Sequence, residues 1–351
     1  MAGEGGVFDG TRVAVVGGAG FVGGNLVKEI LGTSPGVEIL VIDNLLSSER
    51  WNVPKDPRVE FLERSINDDE ALGRLEERFD YIFHLATYHG NQSSIHDPLA
   101  DHENNTLTTL KLMNHVKSHS RLRKVVYSSA GCSAAEKTFD DAKATTEDAP
   151  ISLVQDSPYS ISKVVGEFYS VYFFRQFGLP VVRARFQNVY GPAEVLGAGR
   201  WRGTPATVWR NVTPTFIYKA IKGLPLPLEN RGVATRDFIY VEDICRGLIA
   251  CALRGTPGDV YNLASGTEIS ILRLAQLINR IAGNPAGIEH LPPRAWDHSG
   301  KRFGSTEKAR ETLGFVVGVP LQEGLETTVA WTRENLGMIE QCMSKHAQYM
   351  G

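Results

Sequence analysis

The sequence contains few cysteines and no long apolar run, and each shortage excludes a class of protein. Four of the 351 residues are cysteines, and they show neither Cys-x-x-Cys spacing nor the density of a disulfide scaffold. We therefore expect reduced thiols at Cys132, Cys245, Cys251 and Cys342. No stretch is long and apolar enough to span a bilayer, and residues 1–10 lack the basic and apolar regions of a signal peptide. These absences predict a cytoplasmic protein that does not contact a membrane.

The chain also lacks an excess of charge of either sign. Its 37 lysines and arginines against 40 aspartates and glutamates give a formal net charge of −3, without a long basic run. We therefore expect no nucleic-acid partner. The histidines show no metal-ligand spacing such as His-x-x-x-His, so no metal site is predicted; those considered are His84, His89, His96 and His102.

What is present is a repeated alternation of strand and helix patterns. A β-branched run at residues 11–16 is followed by a glycine-rich turn and then by a helical apolar pattern. Further buried-strand candidates are residues 38–42, 59–62, 81–85, 124–128 and 181–186. This alternation predicts an α/β protein with a Rossmann-type, doubly wound parallel sheet.

The length and a change of composition predict two domains. After Gly191-Pro192 the chain becomes a loop rich in glycine, proline, arginine and tryptophan that runs to about Trp209, and proline-punctuated residues follow at 223–228. We expect a dinucleotide-binding domain at 1–190 and a smaller C-terminal α/β domain, mainly for the substrate, at 191–351. Residues near 234–265 are expected to return to the first domain.

The glycine-rich turn is the first candidate site. Gly17, Gly20 and Gly23 stand between a strand and a helix, with Phe21 and Val22 among them. This spacing lets the backbone approach a pyrophosphate, whose charge the helix N-terminus favours. A turn needed only for close packing is the structural alternative.

Asp43 ends the second strand, about twenty residues past the last glycine, and is followed by Asn44. A carboxylate here binds the adenosine-ribose hydroxyls and repels a 2′-phosphate, which favours NAD. Nearby Arg50 and Arg64 keep NADP as an alternative, and flavin is the weaker one.

Tyr159 and Lys163 are the candidate chemistry. Residues at i and i+4 lie on one helix face, so the ammonium of Lys163 can favour the ionised phenol of Tyr159 and create a base. Tyr-x-x-x-Lys alone is a weak motif, but the upstream glycine turn strengthens it.

Together these motifs resemble the extended short-chain dehydrogenase/reductase family of NAD-dependent sugar-nucleotide epimerases and dehydratases. The resemblance covers residues 11–335 and rests on the glycine turn, Asp43, His84-Leu85-Ala86, Ser128-Ser129-Ala130, residues 159–163, residues 185–192 and Arg236-Asp237-Phe238. It implies NAD as cofactor, a nucleotide-sugar substrate and a homodimer.

The resemblance also implies positions around the cofactor. Leu85, Ala86 and His89 would line it, and Asn104 would approach the nicotinamide side. Ser65 and Ile66 occupy the place of the adenine-binding pair, although the family usually has an acidic residue at the first position.

In the catalytic site, the resemblance makes Ser129 the hydroxyl that contacts the reacting sugar, with Ser128 as the second candidate. Tyr159 would take the proton, and Lys163 would hold the nicotinamide ribose and assist Tyr159. The family's dehydratases carry Asp-Glu after this serine, and its decarboxylases usually carry Glu at the second place, whereas this chain has Ala130 and Gly131.

Cys132 has two interpretations. Family members that epimerise C3 and C5 place a cysteine acid/base near this point, but the register here differs by one residue. A buried structural thiol is the other interpretation.

The substrate site follows from the same resemblance. Asn188, Arg236 and Arg294 would face the diphosphate, because a forked guanidinium suits phosphate oxygens. The residues expected around the base and its ribose are Asn211, Leu226, Leu228 and Asp297. The Arg200-Trp201-Arg202 loop either binds a carboxylate on the sugar or packs against a domain or subunit.

These features together predict an NAD-dependent 4-epimerase of a UDP-sugar that works through a transient 4-keto sugar. A UDP-glucuronate decarboxylase or a nucleotide-sugar 4,6-dehydratase is the alternative among enzymes. The alternative outside enzymes is an NAD-binding sensor or scaffold.

Overall fold

The computed structural model describes residues 6–131, 134, 138–294 and 300–350. The strands are β1 (Arg12–Val16), β2 (Glu38–Asp43), β3 (Val59–Glu63), β4 (Tyr81–His84), β5 (Lys124–Ala130), β6 (Ala144–Thr145), β7 (Val181–Phe186), β8 (Asn188–Tyr190), β9 (Leu226–Glu229), β10 (Thr235–Arg236), β11 (Phe238–Tyr240), β12 (Val260–Leu263), β13 (Ile269–Ser270), β14 (Ile288–Leu291) and β15 (Phe303–Gly304). The helices are α1 (Phe21–Thr33), α2 (Asp69–Arg74), α3 (Asn91–His96), α4 (Pro98–Asp101), α5 (Thr108–Val116), α6 (Pro158–Phe177), α7 (Val212–Ile221), α8 (Val241–Arg254), α9 (Ile271–Ala282), α10 (Glu307–Leu313), α11 (Leu321–Glu334) and α12 (Leu336–Ser344).

Seven strands form the central sheet in the order β12-β7-β5-β4-β1-β2-β3, and every neighbouring pair is parallel. The strand order reverses between β1 and β4, which gives the doubly wound arrangement and opens a crevice at the carboxyl ends of these strands. The predicted Rossmann-type sheet is therefore confirmed.

Apolar layers cover both faces of this sheet. One layer joins α1 and α8 through residues such as Leu26, Ile30 and Leu248, and the other includes Leu112 and Val116 of α5. All seven residues of β5 are buried, as expected for a strand covered on both faces. Burial on both faces explains why β1, β2 and β4 carry apolar side chains at successive positions.

Helix α6 has clear local signals at both ends. The hydroxyl of Ser157 accepts a hydrogen bond from the Ser160 backbone N–H, and Pro158 occupies the first helical position. Gly178 ends the helix at φ 71°, a left-handed conformation that costs glycine little. These signals set where the helix begins, and thereby where Tyr159 and Lys163 lie relative to β5.

A second apolar core lies outside the central sheet. It packs α7, α9 and α11 against short strands and includes Phe216, Leu274 and Leu325. Strands β9 and β14 pair in parallel here, as do β8 and β11. Strand β12, from the segment expected to return to the first domain, pairs with β7 at the edge of the central sheet.

In the part of the chain that the structure describes, no helix is both long enough and apolar enough to cross a membrane.

Candidate active site

A cavity of about 780 Å³ lies at the carboxyl ends of the sheet strands. It extends from the glycine turn after β1 to residues of the second core, so that one continuous space is bordered by both parts of the chain. This is the place where open α/β sheets bind ligands, because the strand order reverses there.

The glycine turn is shaped for close backbone approach. Gly17 has φ 86°, and a Cβ at this position would lie 2.5 Å from the backbone nitrogen of Ala86. A Cβ on Gly23 would lie 2.2 Å from the carbonyl oxygen of Gly17. Gly20 caps α1 without a side-chain hydrogen bond, so backbone N–H groups at this helix start stay available to an anion. The turn fits a pyrophosphate.

Asp43 lies at the end of β2 and is 9% exposed in the cavity wall. Its carboxylate accepts hydrogen bonds from the backbone N–H groups of Ala19 and Leu45 and from the hydroxyl of Ser48. Burial raises the pKa of Asp43 above its ordinary value, although these hydrogen bonds oppose that effect. The carboxylate thus links the glycine turn to the loop after β2.

Arg50 and Arg64, which kept NADP as an alternative cofactor, have different surroundings in the structure. Arg64 borders the cavity, but its Nε pairs with Glu70 at 2.9 Å. Arg50 stacks over the ring of Phe61, with its guanidinium carbon 4.3 Å from the ring centroid.

All residues predicted to surround the cofactor border the cavity: Gly17, Gly20, Phe21, Val22, Gly23, Asp43, Asn44, Ser65, Ile66, Leu85, Ala86, His89, Asn104, Tyr159 and Lys163. Asn104 stands in a π-helical segment, His102–Leu107, which joins α4 to α5. The next residue, Asn105, was not singled out from the sequence, yet its amide accepts from the Tyr88 N–H at 2.7 Å and donates to Ser162 Oγ at 3.2 Å. Asn105 therefore connects this segment to α6.

The three predicted catalytic residues come together on the cavity from β5 and α6. The Nζ of Lys163 donates to the carbonyl oxygen of Ser128 at 2.9 Å and lies 5.8 Å from the ring centroid of Tyr159. Ser129 and Tyr159 both border the cavity. Ser128 also borders it, and its hydroxyl donates to the carbonyl oxygen of His84 at 3.0 Å.

Behind Ser129 lies a buried ionic network that the sequence analysis missed. Ser129 Oγ donates to Glu167 Oε1 at 2.6 Å. Arg185 donates to both oxygens of Glu167, at 2.8 and 2.9 Å, and Arg183 pairs with the same carboxylate at 3.3 Å. Burial opposes ionisation, but the hydrogen bonds and charge of Arg185 outweigh it and hold the pKa of Glu167 below its ordinary value. Glu167 follows Lys163 by one helical turn, which is the sequence signal that could have identified it.

A second cluster lies beside the cofactor residues, and of its members the sequence analysis named His89 and Asn211 but missed Glu194. His89 Nε2 is 3.1 Å from Asn211 Oδ1, and the amide of Asn211 donates to Glu194 Oε1. The His89 ring packs edge-on against Tyr159 at a centroid distance of 5.9 Å. Burial raises the pKa of Glu194 to about 7, although Asn211 and Arg210 oppose this, and burial lowers the pKa of His89 to about 4. Both groups are therefore pushed toward their neutral forms.

Four of the predicted substrate residues border the cavity: Asn188, Asn211, Arg236 and Arg294. Arg236 is 9% exposed and donates to the carbonyl oxygens of Thr235 and Gly300, both at 2.7 Å. Arg294 forms an ion pair with Glu229.

The structure corrects two substrate residues. Leu226 and Leu228 are fully buried in the second core, whereas Pro227 and Glu229 of the same strand border the cavity. Successive residues of a strand point to opposite faces, so the apolar residues of β9 turn inward and their neighbours face the ligand space. Asp297 and Cys132 lie outside the described residues.

The Arg200-Trp201-Arg202 loop packs over the loop that follows β2. Arg200 donates to the carbonyl oxygen of Asn44, and Arg202 donates to Ser47 Oγ and to the carbonyl oxygen of His89, each at 3.0 Å. Trp201 stacks on Tyr349 at a centroid distance of 4.9 Å. These contacts favour the packing interpretation over carboxylate binding.

Comparison with known proteins places this geometry in a family. The model of the NAD dependent epimerase/dehydratase family matches residues 13–264. The crystal structure of the Bordetella bronchiseptica enzyme WbmF in complex with NAD+ and UDP is 60% identical, with a TM-score of 0.88 over 98% of each chain.

Two curated relatives carry different activities. The UDP-glucose 4-epimerase of Mycolicibacterium smegmatis is 31% identical over 92% of this chain and 98% of that protein. The dTDP-glucose 4,6-dehydratase of Streptomyces niveus is 30% identical over 92% of this chain and 93% of that protein. The family depends on NAD, which confirms the predicted cofactor. With the parallel sheet, the glycine turn and the Tyr159–Lys163 pair on one cavity, the chain belongs to the NAD-dependent epimerase/dehydratase family.

Proposed function

We propose that this protein is an NAD-dependent 4-epimerase of a nucleotide sugar, most specifically of a UDP-sugar. The observation that carries the proposal is the pairing of a complete Ser129, Tyr159 and Lys163 constellation with the non-acidic residues Ala130 and Gly131 directly after Ser129. The three residues support oxidation at a sugar carbon. Ala130 and Gly131 offer no acid or base for elimination at a neighbouring carbon.

The roles follow from position. Tyr159 removes the proton of the C4 hydroxyl, and Ser129 orients the C4 oxygen. Lys163, whose Nζ lies 5.8 Å from the centroid of the Tyr159 ring, favours the phenolate through its positive charge. NAD, when bound, takes up and returns the hydride. If the resulting 4-keto sugar rotates in the cavity, the hydride returns to the opposite face of C4. The configuration at C4 is then inverted, and no net oxidation occurs.

The acids around the cavity support return of the keto sugar rather than elimination. In the described ranges, the acidic residues that border the cavity are Asp43, Glu194 and Glu229. Asp43 lies among the cofactor residues, Glu229 pairs with Arg294, and Glu194 accepts from Asn211. None of them follows Ser129 on β5.

A UDP-linked substrate is favoured by two independent facts. Arg236 and Arg294 both border the cavity and can neutralise a diphosphate. WbmF, which shares 60% of its residues with this chain, was crystallised with UDP.

The test is to incubate the purified protein with UDP-glucose, UDP-N-acetylglucosamine and UDP-glucuronate in heavy water, without added cofactor. We expect an isomer of unchanged mass from one of them, with hydrogen at C4 retained, since hydride transfer, unlike proton transfer, does not exchange with solvent. Loss of one water or one carbon dioxide would replace the proposal by a dehydratase or a decarboxylase. Deuterium at C3 or C5 would indicate proton chemistry at carbon, and no turnover would favour a sensor or scaffold.

A further inference from the structure

Gln187, between β7 and β8, fills the space next to Gly131 inside the cavity. A Cβ built on Gly131 would lie 2.2 Å from Gln187 Nε2 and 2.7 Å from its Cδ. A Cβ built on Gly304 would lie 2.9 Å from the same Nε2. The amide thus lies in a slot between two glycines, and a side chain at residue 131 would require it to move.

The strand register explains this position. Ser129 of β5 pairs with Arg185 of β7, and Ala130 pairs with Phe186. Gln187 is the next residue after Phe186, so it lies level with Gly131, just beyond Ser129 at the carboxyl edge of the sheet. The pairing of β7 with β5 therefore places the Gln187 side chain in the space beside Gly131, which has no side chain of its own.

Within the described ranges, no protein group hydrogen-bonds the amide of Gln187. Gln187 is half-buried in the cavity wall, and among the described residues its side chain has no hydrogen-bond partner. A carboxamide carries two donors and an acceptor, and with no partner among the described residues these groups are available to a ligand in the cavity.

From this geometry we infer that Gln187 is a specificity-determining residue that hydrogen-bonds a polar substituent on a ring carbon next to C4 of the sugar. The inference rests on the proposed function, which seats the C4 oxygen on Ser129 and Tyr159. The substituent is either the group at C6 or the hydroxyl at C3. As a neutral amide, Gln187 binds such a group without removing a proton from carbon, and it occupies the slot in which an acid at residue 131 would stand.

The experiment compares the affinity for UDP with that for UDP-sugars in wild type and in Gln187→Met, which keeps the slot filled but removes the hydrogen bonds. The NAD-loaded enzyme is titrated by calorimetry with UDP, UDP-glucose, UDP-N-acetylglucosamine, UDP-glucuronate and UDP-xylose. We expect the best-bound UDP-sugar to weaken roughly three- to tenfold, as for one lost hydrogen bond, and UDP to bind unchanged. Gln322→Ala, on the exposed face of α11, is the matched control and should leave both affinities unchanged.

The pentose UDP-xylose separates the two sources of the hydrogen bond, because it has no C6. If Gln187→Met weakens the hexoses but not UDP-xylose, the amide binds the C6 group; if all weaken equally, it binds at C3. Equal effects on UDP and UDP-sugars, or no effect on either, would overturn the inference while isomer formation by wild type leaves the proposed function standing. If wild type neither binds nor isomerises any UDP-sugar, both fall together.

Discussion

Ser129 and Glu167 are joined by a buried hydrogen bond of 2.6 Å, and Arg185 clamps the same carboxylate through both of its oxygens. Glu167 is 2% exposed, so a charged group lies directly behind the hydroxyl that we propose contacts the sugar. The bond fixes the orientation of Ser129 from a helix that also carries Tyr159 and Lys163. Strand β5 and helix α6 are thereby held at one relative position at the catalytic site.

Replacing Glu167 by Gln should cost the protein much of its stability. The change leaves Arg185 buried without its ionic partner, which destabilises proteins by roughly 3–5 kcal/mol. Denaturant unfolding measures the effect, and Glu70→Gln, which breaks the exposed pair with Arg64, should cost less than about 1 kcal/mol. Because the pKa of Glu167 is lowered by folding, its contribution is present above the ordinary carboxyl pKa and is lost as the pH falls through the lowered value. A variant as stable as wild type at neutral pH would show that the network does not support the fold.

Tyr159→Phe should separate binding from chemistry. Removing the phenol oxygen is expected to lower turnover by about 10²–10⁴, with UDP affinity and NAD content nearly unchanged. Tyr349→Phe removes the same atom from an exposed residue that does not border the cavity and should retain full turnover. More than about a tenth of wild-type turnover in Tyr159→Phe would assign the proton transfer to another group.

Asp43→Ala should weaken the binding of NAD and reduce the preference of the protein for NAD over NADP. The change removes the acceptor proposed for the ribose hydroxyls, the charge that repels a 2′-phosphate, and the hydrogen bonds to Ala19, Leu45 and Ser48. Asp43→Asn keeps an acceptor and removes only the charge, so it should bind NAD better than the alanine variant. Titration of both cofactors into each variant measures this, and unchanged discrimination in both variants would locate the ribose contact elsewhere.

Glu194→Gln should become more stable than wild type as the pH rises. Burial raises the pKa of Glu194 to about 7, so the folded protein holds a proton that the unfolded chain releases at lower pH. The free energy of unfolding of wild type therefore decreases as the pH rises from the ordinary carboxyl pKa to about 7. Relative to wild type, the variant should be more stable by roughly 1–3 kcal/mol at pH 8 but by little at pH 5. Unfolding measured across this range tests the sign, and a constant difference between the two proteins would contradict it.

An exposed apolar face of helix α6 is where we predict that a second copy of the chain binds. Ile161, Phe168 and Tyr172 are 51–59% exposed and lie on one face of the helix, at spacings of seven and four residues. We expect this face to pack against a second copy, so Phe168→Glu should convert a homodimer to a monomer in sedimentation measurements. Leu153→Glu, at a fully exposed loop position, is the control and should not change the mass. A Phe168→Glu variant that remains dimeric would place the interface on another surface.

The sequence alone determined the fold class and named many of the residues that border the cavity. Strand runs and turn glycines act between residues close in the chain, so the sheet strands and the first turn could be recognised locally. The Tyr159–Lys163 pair was recognisable for the same reason, since both residues lie on one helix turn. Motif order then linked these local signals to the family.

The tertiary structure decided what surrounds those motifs. Glu167 reaches Ser129 across 38 residues, and Asn211 approaches His89 across 122, distances over which no local pattern reports. Leu226 and Leu228 were assigned to the ligand because the sequence does not tell which face of a short strand meets the cavity. The surroundings of Gly131 could not be read from the sequence either, because only the pairing of β5 with β7 places Gln187 in the space beside this glycine.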